Sequence, residues 1–235
     1  MQIQDKDIAF IKFPTTPYLV LPKDRIARHD KLLSYSDACL FYSNDVIIEE
    51  KIDGANLGIS FSTEGEMLFQ NRGNYLIKPF KGQWKPLEEW ANRKGTFLFD
   101  ILYDRYILFG EWCFLTHSVF YNSLPDWFIA FDIFDRMDNC FLSVERRNHF
   151  AEQMGIKTVP FIAKERIMIE TIDKYIGKSA FGDELCEGIY LRMESDDKLI
   201  KRAKYVRNSF SQTIDVHWSK KSIHKNQIAH ECHTD

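Results

Sequence analysis

The apolar residues of this 235-residue chain come in short runs at irregular spacing, and that pattern closes off most architectures. No run approaches the roughly 18 apolar residues of a membrane-spanning helix. No regular strand–helix–strand period appears either. Val46–Ile52 reads as a strand stopped by the turn chemistry of Asp53-Gly54. Leu57–Ser62 and Met67–Asn71 read as strands around Thr63-Glu64-Gly65, and Ile107–Phe114 and Trp127–Phe134 as buried strands. Gly188–Met193 and Leu199–Val206 form a hairpin signal around the polar tip Glu194–Lys198. Three segments suit helices. Residues 84–103 have Pro86 near a first turn and Gly95-Thr96 as a point of division; Ile167–Ile176 is the second. Ser143–Met154 is the third, with Ser143 as N-cap and Arg146, Arg147 and Glu152 on the wet side. Residues 13–25 hold three of the seven prolines and read as an extended approach chain. The expected class is α+β with mainly antiparallel sheets, not a doubly wound fold.

A composition of 45% apolar and 14% aromatic residues supports a sizeable core and excludes a mostly disordered chain. With no Gly/Ser/Pro-rich linker, one domain over residues 1–235 is expected. The N-terminus lacks the basic-then-apolar layout of a signal peptide, and the five cysteines are scattered with no CxxC pair. A reducing, cytoplasmic setting follows as the expectation. The formal charge of −3 does not suit a protein that grips nucleic acid through its whole surface, so such a role needs a local patch. One exists: residues 198–225 carry eight Lys/Arg and the single acid Asp215. Tyr205 and Trp218 lie in that stretch, and core packing is the plainer reading of each. His224, His230, Cys232 and His233 have ligand-type side chains at a spacing that matches no zinc pattern.

Five segments carry chemistry. Glu50-Lys51-Ile52-Asp53-Gly54-Ala55-Asn56 sets a lysine at a strand end beside a tight turn. It is either a surface lysine or a nucleophile, and a nucleophile must lose its proton. Phe109-Gly110-Glu111 embeds a carboxylate in an apolar strand, and Phe131-Asp132-Ile133-Phe134-Asp135 interrupts an aromatic strand with acids. Glu187-Gly188 puts an acid before an apolar strand. In Lys201-Arg202-Ala203-Lys204-Tyr205, strand alternation turns Arg202 and Lys204 to one face and Ala203 and Tyr205 to the other.

In this order the five segments resemble the covalent lysine nucleotidyltransferases, the ATP-dependent ligases and mRNA capping enzymes. Asn56, two residues past Asp-Gly where DNA ligases and capping enzymes usually carry Arg, is similar to the RNA ligase 2-like branch. The resemblance spans Lys51 to Arg207. It implies a nucleotidyltransferase (ATP-grasp-like ligase) core of antiparallel sheets flanked by helices, with residues 208–235 as a basic extension and no separate C-terminal domain. It implies an ATP-dependent RNA ligase: Lys51 takes AMP from ATP, AMP passes to a 5′-phosphate RNA end, and a 3′-hydroxyl displaces it. Lys51, Lys204, Glu187 and Glu111 would be catalytic, and Glu111 and Glu187 would hold Mg²⁺ or Mn²⁺, with Glu111 alternatively on the ribose. Around the nucleotide the resemblance sets Glu50, Ile52, Asp53, Asn56, Arg72, Phe131 (stacked on adenine) and Arg202, with Lys201 as an alternative to Arg202. Cations beside Lys51 would favour its neutral form. A DNA ligase, a GTP-using capping enzyme and a silent nucleotide- or RNA-binding module remain the alternatives; decay to the last should have removed Lys51, Glu111, Glu187 or Lys204.

Overall fold

A computed structural model describes residues 9–21, 32–207 and 224–229. In chain order the elements begin with α1 (Tyr35–Ser43), β1 (Asp45–Lys51), β2 (Ala55–Phe61), β3 (Met67–Gln70), α2 (Leu87–Leu102) and β4 (Tyr106–Trp112). They continue with β5 (Phe128–Asp135), β6 (Cys140–Phe141), α3 (Val144–Gln153), β7 (Lys157–Thr158), β8 (Phe161–Arg166), β9 (Gly188–Ser195) and β10 (Lys198–Val206). Short 3-10 helices occupy Gly82–Trp84 and Ile169–Tyr175. Strands interleave with few helices and pair mostly antiparallel, which is the α+β class that the irregular runs imply.

The chain divides into two compact units. One comprises residues 15–54, 113–127 and 159–235; the other comprises 1–14, 55–112 and 128–158. The first holds a sheet of order β10-β9-β1-β8. Its register sets Ile48 beside Leu191 and Leu191 beside Ala203, so these and Val46, Ile189 and Tyr205 share one face. That face forms a core with Phe41 of α1 and Ile172 and Tyr175. The opposite face is polar: Glu49, Lys51, Tyr190, Arg192, Arg202 and Lys204. The β9–β10 hairpin is tighter than the five-residue tip expected, because Asp196 and Asp197 both adopt positive φ (49° and 62°) and close a two-residue turn. In the described part of the approach chain, residues 13–21, Tyr18 bridges Lys204 through Leu19 N–H to Lys204 O (2.8 Å) and Lys204 N–H to Pro17 O (2.9 Å).

The second unit holds β3-β2-β4-β5-β6, with β7 parallel to β5. Its strands β2, β4 and β5 are buried on both faces. Trp90 of α2 packs on Trp112 (5.8 Å) and Phe128 (5.5 Å) on one side. On the other, Phe13 packs against Phe109, Phe131 and Phe141.

Several local expectations change. Helix α2 runs through Gly95 without division, where a Cβ would meet only Met67 at an ordinary 3.6 Å. The segment at 167–176 is a 3-10 helix over Ile169–Tyr175. Ser143 does cap α3, its hydroxyl accepting the Arg146 N–H. Arg147, expected on the wet side of α3, is buried and donates to the Phe131 carbonyl (2.8 Å), because that carbonyl sits near the bulge between β4 and β5. Helix α1, edge strand β8 and the short β6 and β7 were not among the expected elements. No helix among the described residues is long and apolar enough to cross a membrane.

Candidate active site

Lys51 ends β1, and Gly188 opens the neighbouring β9 directly opposite it. Glu187 therefore arrives beside the lysine, and its Oε2 accepts from Lys51 Nζ at 2.5 Å. The glycine after the glutamate is a packing requirement: a Cβ at Gly188 would stand 2.1 Å from the Tyr205 carbonyl oxygen. Arg207 braces the same corner, donating its Nε to Cys186 O (2.8 Å) and its backbone N–H to Glu187 O (3.2 Å).

Alternation distributes the basic strand as expected. Ala203 and Tyr205 are buried, Tyr205 bonding Asp173 at 2.7 Å, while Arg202 and Lys204 share the face of Lys51. Lys204 Nζ lies 4.1 Å from the Tyr18 ring centroid. Lys201 does not join them: it pairs with Asp37 of α1 (2.7 Å) and ties that helix down, holding the Asp37 carboxyl below its usual range. Arg192, opposite Arg202, is fully buried and donates to Glu194 (2.8 Å), with Glu49 4.0 Å away.

The Glu187 carboxyl is pushed up by burial; Lys51 and Lys204 act against that shift, and Asp53 adds to it. Among the described residues no group of three or more His, Cys, Asp or Glu side chains is placed to hold a metal ion.

The Asp-Gly turn after Lys51 organises a second loop. Asp53 Oδ2 accepts the N–H groups of Ser118 (2.7 Å) and Val119 (3.0 Å), and its own N–H donates to the Tyr121 hydroxyl (2.8 Å). This brings His117 into electrostatic reach of Lys51 and Glu187; burial holds its imidazole below the usual range, Glu187 pulls the other way and Lys51 reinforces the burial. The loop is fixed from its far side by buried Asn226, whose Oδ1 accepts from Thr116 (2.8 Å) and Tyr121 (3.0 Å) while its Nδ2 donates to Cys113 O (2.8 Å). Sequence reasoning singled out none of His117, Tyr18, Arg192 and Asn226. The only signal for the loop was the carboxylate of Asp53, which has to satisfy donors somewhere.

Glu50 and Ile52 flank Lys51 along the chain. Glu50 turns to the other face of β1, where its carboxylate accepts from Ser179 (2.5 Å) and from the Ala180 N–H (2.9 Å), and burial pushes its carboxyl up. Ile52 is buried.

In the second unit, β2 and β4 set Asn56 directly opposite Glu111, both buried. Neither Nδ2 nor Oδ1 of Asn56 has a hydrogen-bond partner, an expensive state for a buried amide unless a ligand completes it. Phe131 is half-buried at the bulge, edge-on to Phe13 at 5.0 Å. Arg72 is exposed in a loop turned by Asn71, whose Oδ1 accepts the N–H groups of Gly73 (2.8 Å) and Asn74 (2.9 Å). One unit thus gathers Lys51, Glu187, Arg202, Lys204 and Asp53, and the other holds Asn56 opposite Glu111, along with Phe131 and Arg72. Of the C-terminal features, residues 208–223 of the basic stretch, with Trp218, lie outside the described residues, as do His230, Cys232 and His233; His224 is exposed.

Comparison with known proteins follows the same residues. A family model described as RNA ligase matches residues 44–206. Solved structures share the fold. A Naegleria gruberi RNA ligase variant with ATP and Mn superposes with TM-score 0.61 at 17% identity, covering 87% of this chain and 60% of that one. The same organism's RNA ligase with pyrophosphate gives 0.60 at 17%, covering 86% and 59%. A variant with AMP and Mn gives 0.58 at 16%, covering 76% and 54%. The present chain therefore spans a little over half the length of those ligases. No curated protein matches.

Proposed function

We propose, from the premise that this chain belongs to the RNA ligase family, that it is an ATP- and divalent-cation-dependent RNA ligase joining 5′-phosphate to 3′-hydroxyl ends. The observation that carries the reading is the Lys51–Glu187 pair on the charged face of the four-stranded sheet, with Lys204 and Arg202 on the same face.

An ammonium has no lone pair, so Lys51 must give up a proton before it attacks. Glu187 lies 2.5 Å away, and burial raises its carboxyl, making it a better acceptor than a solvated glutamate. The amine then forms an N–P bond to the α-phosphorus of ATP while the α–β P–O bond breaks and pyrophosphate leaves. An oxygen of an RNA 5′-phosphate next takes the AMP from the lysine, and the 3′-hydroxyl oxygen attacks that 5′-phosphate and expels AMP. All three steps move a phosphoryl-type centre, so positioning and charge neutralisation dominate catalysis. Lys204 and Arg202 neutralise phosphate oxygens. Glu187 in one unit and Glu111 in the other would each offer a carboxylate to magnesium or manganese, which would supply further neutralisation. Asn56 fits a phosphate or ribose oxygen because its amide is otherwise uncommitted. Asp53 positions the Lys51 turn and the His117 loop. Phe131 serves the adenine, Arg72 the nucleotide or the RNA phosphate. Solved relatives hold ATP and pyrophosphate, the substrate and leaving group of such a first step, and AMP, the group that is transferred.

The test is retention of label from α-labelled ATP with Mg²⁺, acid-stable and amine-labile, followed by supply of nicked and single-stranded RNA and DNA. Labelling by GTP alone would favour a capping enzyme, and sealing restricted to DNA nicks would overturn the RNA assignment.

A further inference from the structure

Apart from Arg72, the loop between β3 and α2, residues 71–86, takes no part in the chemistry above, yet it is built rather than loose. It borders an open surface cavity of about 380 Å³ lined by residues 76–81 and Trp84. Two aromatic side chains in its wall are anchored from behind. Phe80 meets the ring of buried Phe69 edge-on at 5.6 Å. Trp84 lies nearly parallel to fully buried Trp112, at 6.5 Å and 28°. Trp112 Nε1 donates to Gln83 O at 2.7 Å, which fixes the residue before Trp84. Gly82 supplies the positive φ (59°) that starts this 3-10 turn, a conformation costly for other residues. Trp84 itself is only half-buried, so it extends a stack that begins in the core and ends at the cavity.

The charge of the loop is one-sided. From Arg72 to Lys85 there are four cations and no acid. Lys78 pairs with Glu88 at 2.7 Å, and Arg72, Lys81 and Lys85 are exposed. A π-face at the end of a fixed stack, beside flexible cations, matches an unpaired nucleotide: stacking for the base, ammonium groups for the phosphate.

We infer that the cavity at Phe80 and Trp84 is a second nucleic-acid site, taking one unstacked nucleotide of the RNA strand with its base against Trp84 and its phosphates on Lys81 and Lys85. The choice of RNA rests on the ligase reading; the stacking geometry does not. Trp112 directly follows Glu111, and its side chain leaves β4 on the opposite face.

The test is fluorescence anisotropy with a fluorescein-labelled single-stranded 12-mer RNA and a blunt duplex of the same length. Trp84→Ala should weaken single-strand binding by about tenfold, leave duplex binding unchanged, and be largely rescued by Trp84→Phe. Lys81→Ala should reduce the slope of log affinity against log salt by about 0.7, a readout that stands even if Trp84→Ala misfolds. Equal single-strand affinity in wild type and Trp84→Ala, an equal loss on duplex, or an unchanged salt slope would overturn the site. So would a shift in the ATP needed for lysyl-AMP labelling with RNA affinity intact, since the cavity would then serve the mononucleotide. Wild-type chain that never forms lysyl-AMP yet binds single strands through Trp84 would sink the ligase reading and leave this site standing.

Discussion

In the four-stranded sheet one face is apolar and the other carries Glu49, Lys51, Arg192, Arg202 and Lys204, whereas the sheet containing β2, β4 and β5 is buried on both faces with aromatic rings on each. The first sheet leaves the fold to its apolar side, so its charged side is open to selection for chemistry. The second has no side to spare, and the polar residues it buries must each have a reason. Glu111 and Asn56 face one another inside it, and the Asn56 amide is without a hydrogen-bond partner. The contrast separates residues whose loss should stop the reaction from residues whose loss should melt the protein.

The largest effect expected is on the charged face. Lys51→Ala should reduce lysyl-AMP labelling to background, since nothing replaces the attacking nitrogen, while the melting curve stays near that of wild type. On the aromatic sheet, Trp112→Ala should destabilise by about 3–5 kcal/mol in chemical denaturation, because it empties a fully buried site between Trp90 and Trp84. Should Trp112→Ala melt like wild type, the division between the sheets fails.

Glu187→Gln sharpens the comparison. Proton acceptance by a placed carboxylate contributes about 10²-fold or more, so labelling should fall by that order. Stability should move the other way with pH. Burial raises the Glu187 carboxyl in the folded protein, so its protonation favours folding below the unfolded value near 4.5, and that contribution is lost as pH rises through the folded value. The melting temperature of Glu187→Gln relative to wild type should therefore climb between acid and neutral pH. A flat difference would show that the Lys51 pairing outweighs burial.

Asn56→Ala is the corresponding change within the aromatic sheet. Removing an unpaired buried amide should leave stability unchanged or higher by about 1 kcal/mol, measured by denaturation, while labelling declines. The smallest effect belongs to His117. Its folded value lies below the unfolded value near 6.5, so the unfolded chain binds the proton first as pH falls. Wild type should lose stability relative to His117→Asn on going from pH 7 toward 5, and an opposite trend would reverse the assigned balance between burial and Glu187.

Much of this layout was legible in the chain. Strands rich in Val, Ile and Phe declare themselves by alternation, and the faces of Ala203 and Tyr205 against Arg202 and Lys204 came out as that alternation requires. Features that depend on tertiary partners did not. Strand β8 is an exposed edge, with Phe161 60% exposed, and has no apolar pattern to announce it. Arg147 reads as surface by type, and only the bulge at Phe131 explains its burial. Lys201 and Lys204 look equivalent until Asp37 of α1 takes the first. Around Lys51, adjacent residues such as Glu50 were easily grouped with it, but strand alternation sends their side chains apart, whereas Glu187, 136 residues on, arrives beside it through sheet register.

The most direct test of the central claim is peptide mass spectrometry after incubation with ATP and Mg²⁺. The account predicts one added AMP, on the peptide that contains Lys51. An unmodified Lys51 peptide alongside an adduct on another lysine would contradict it.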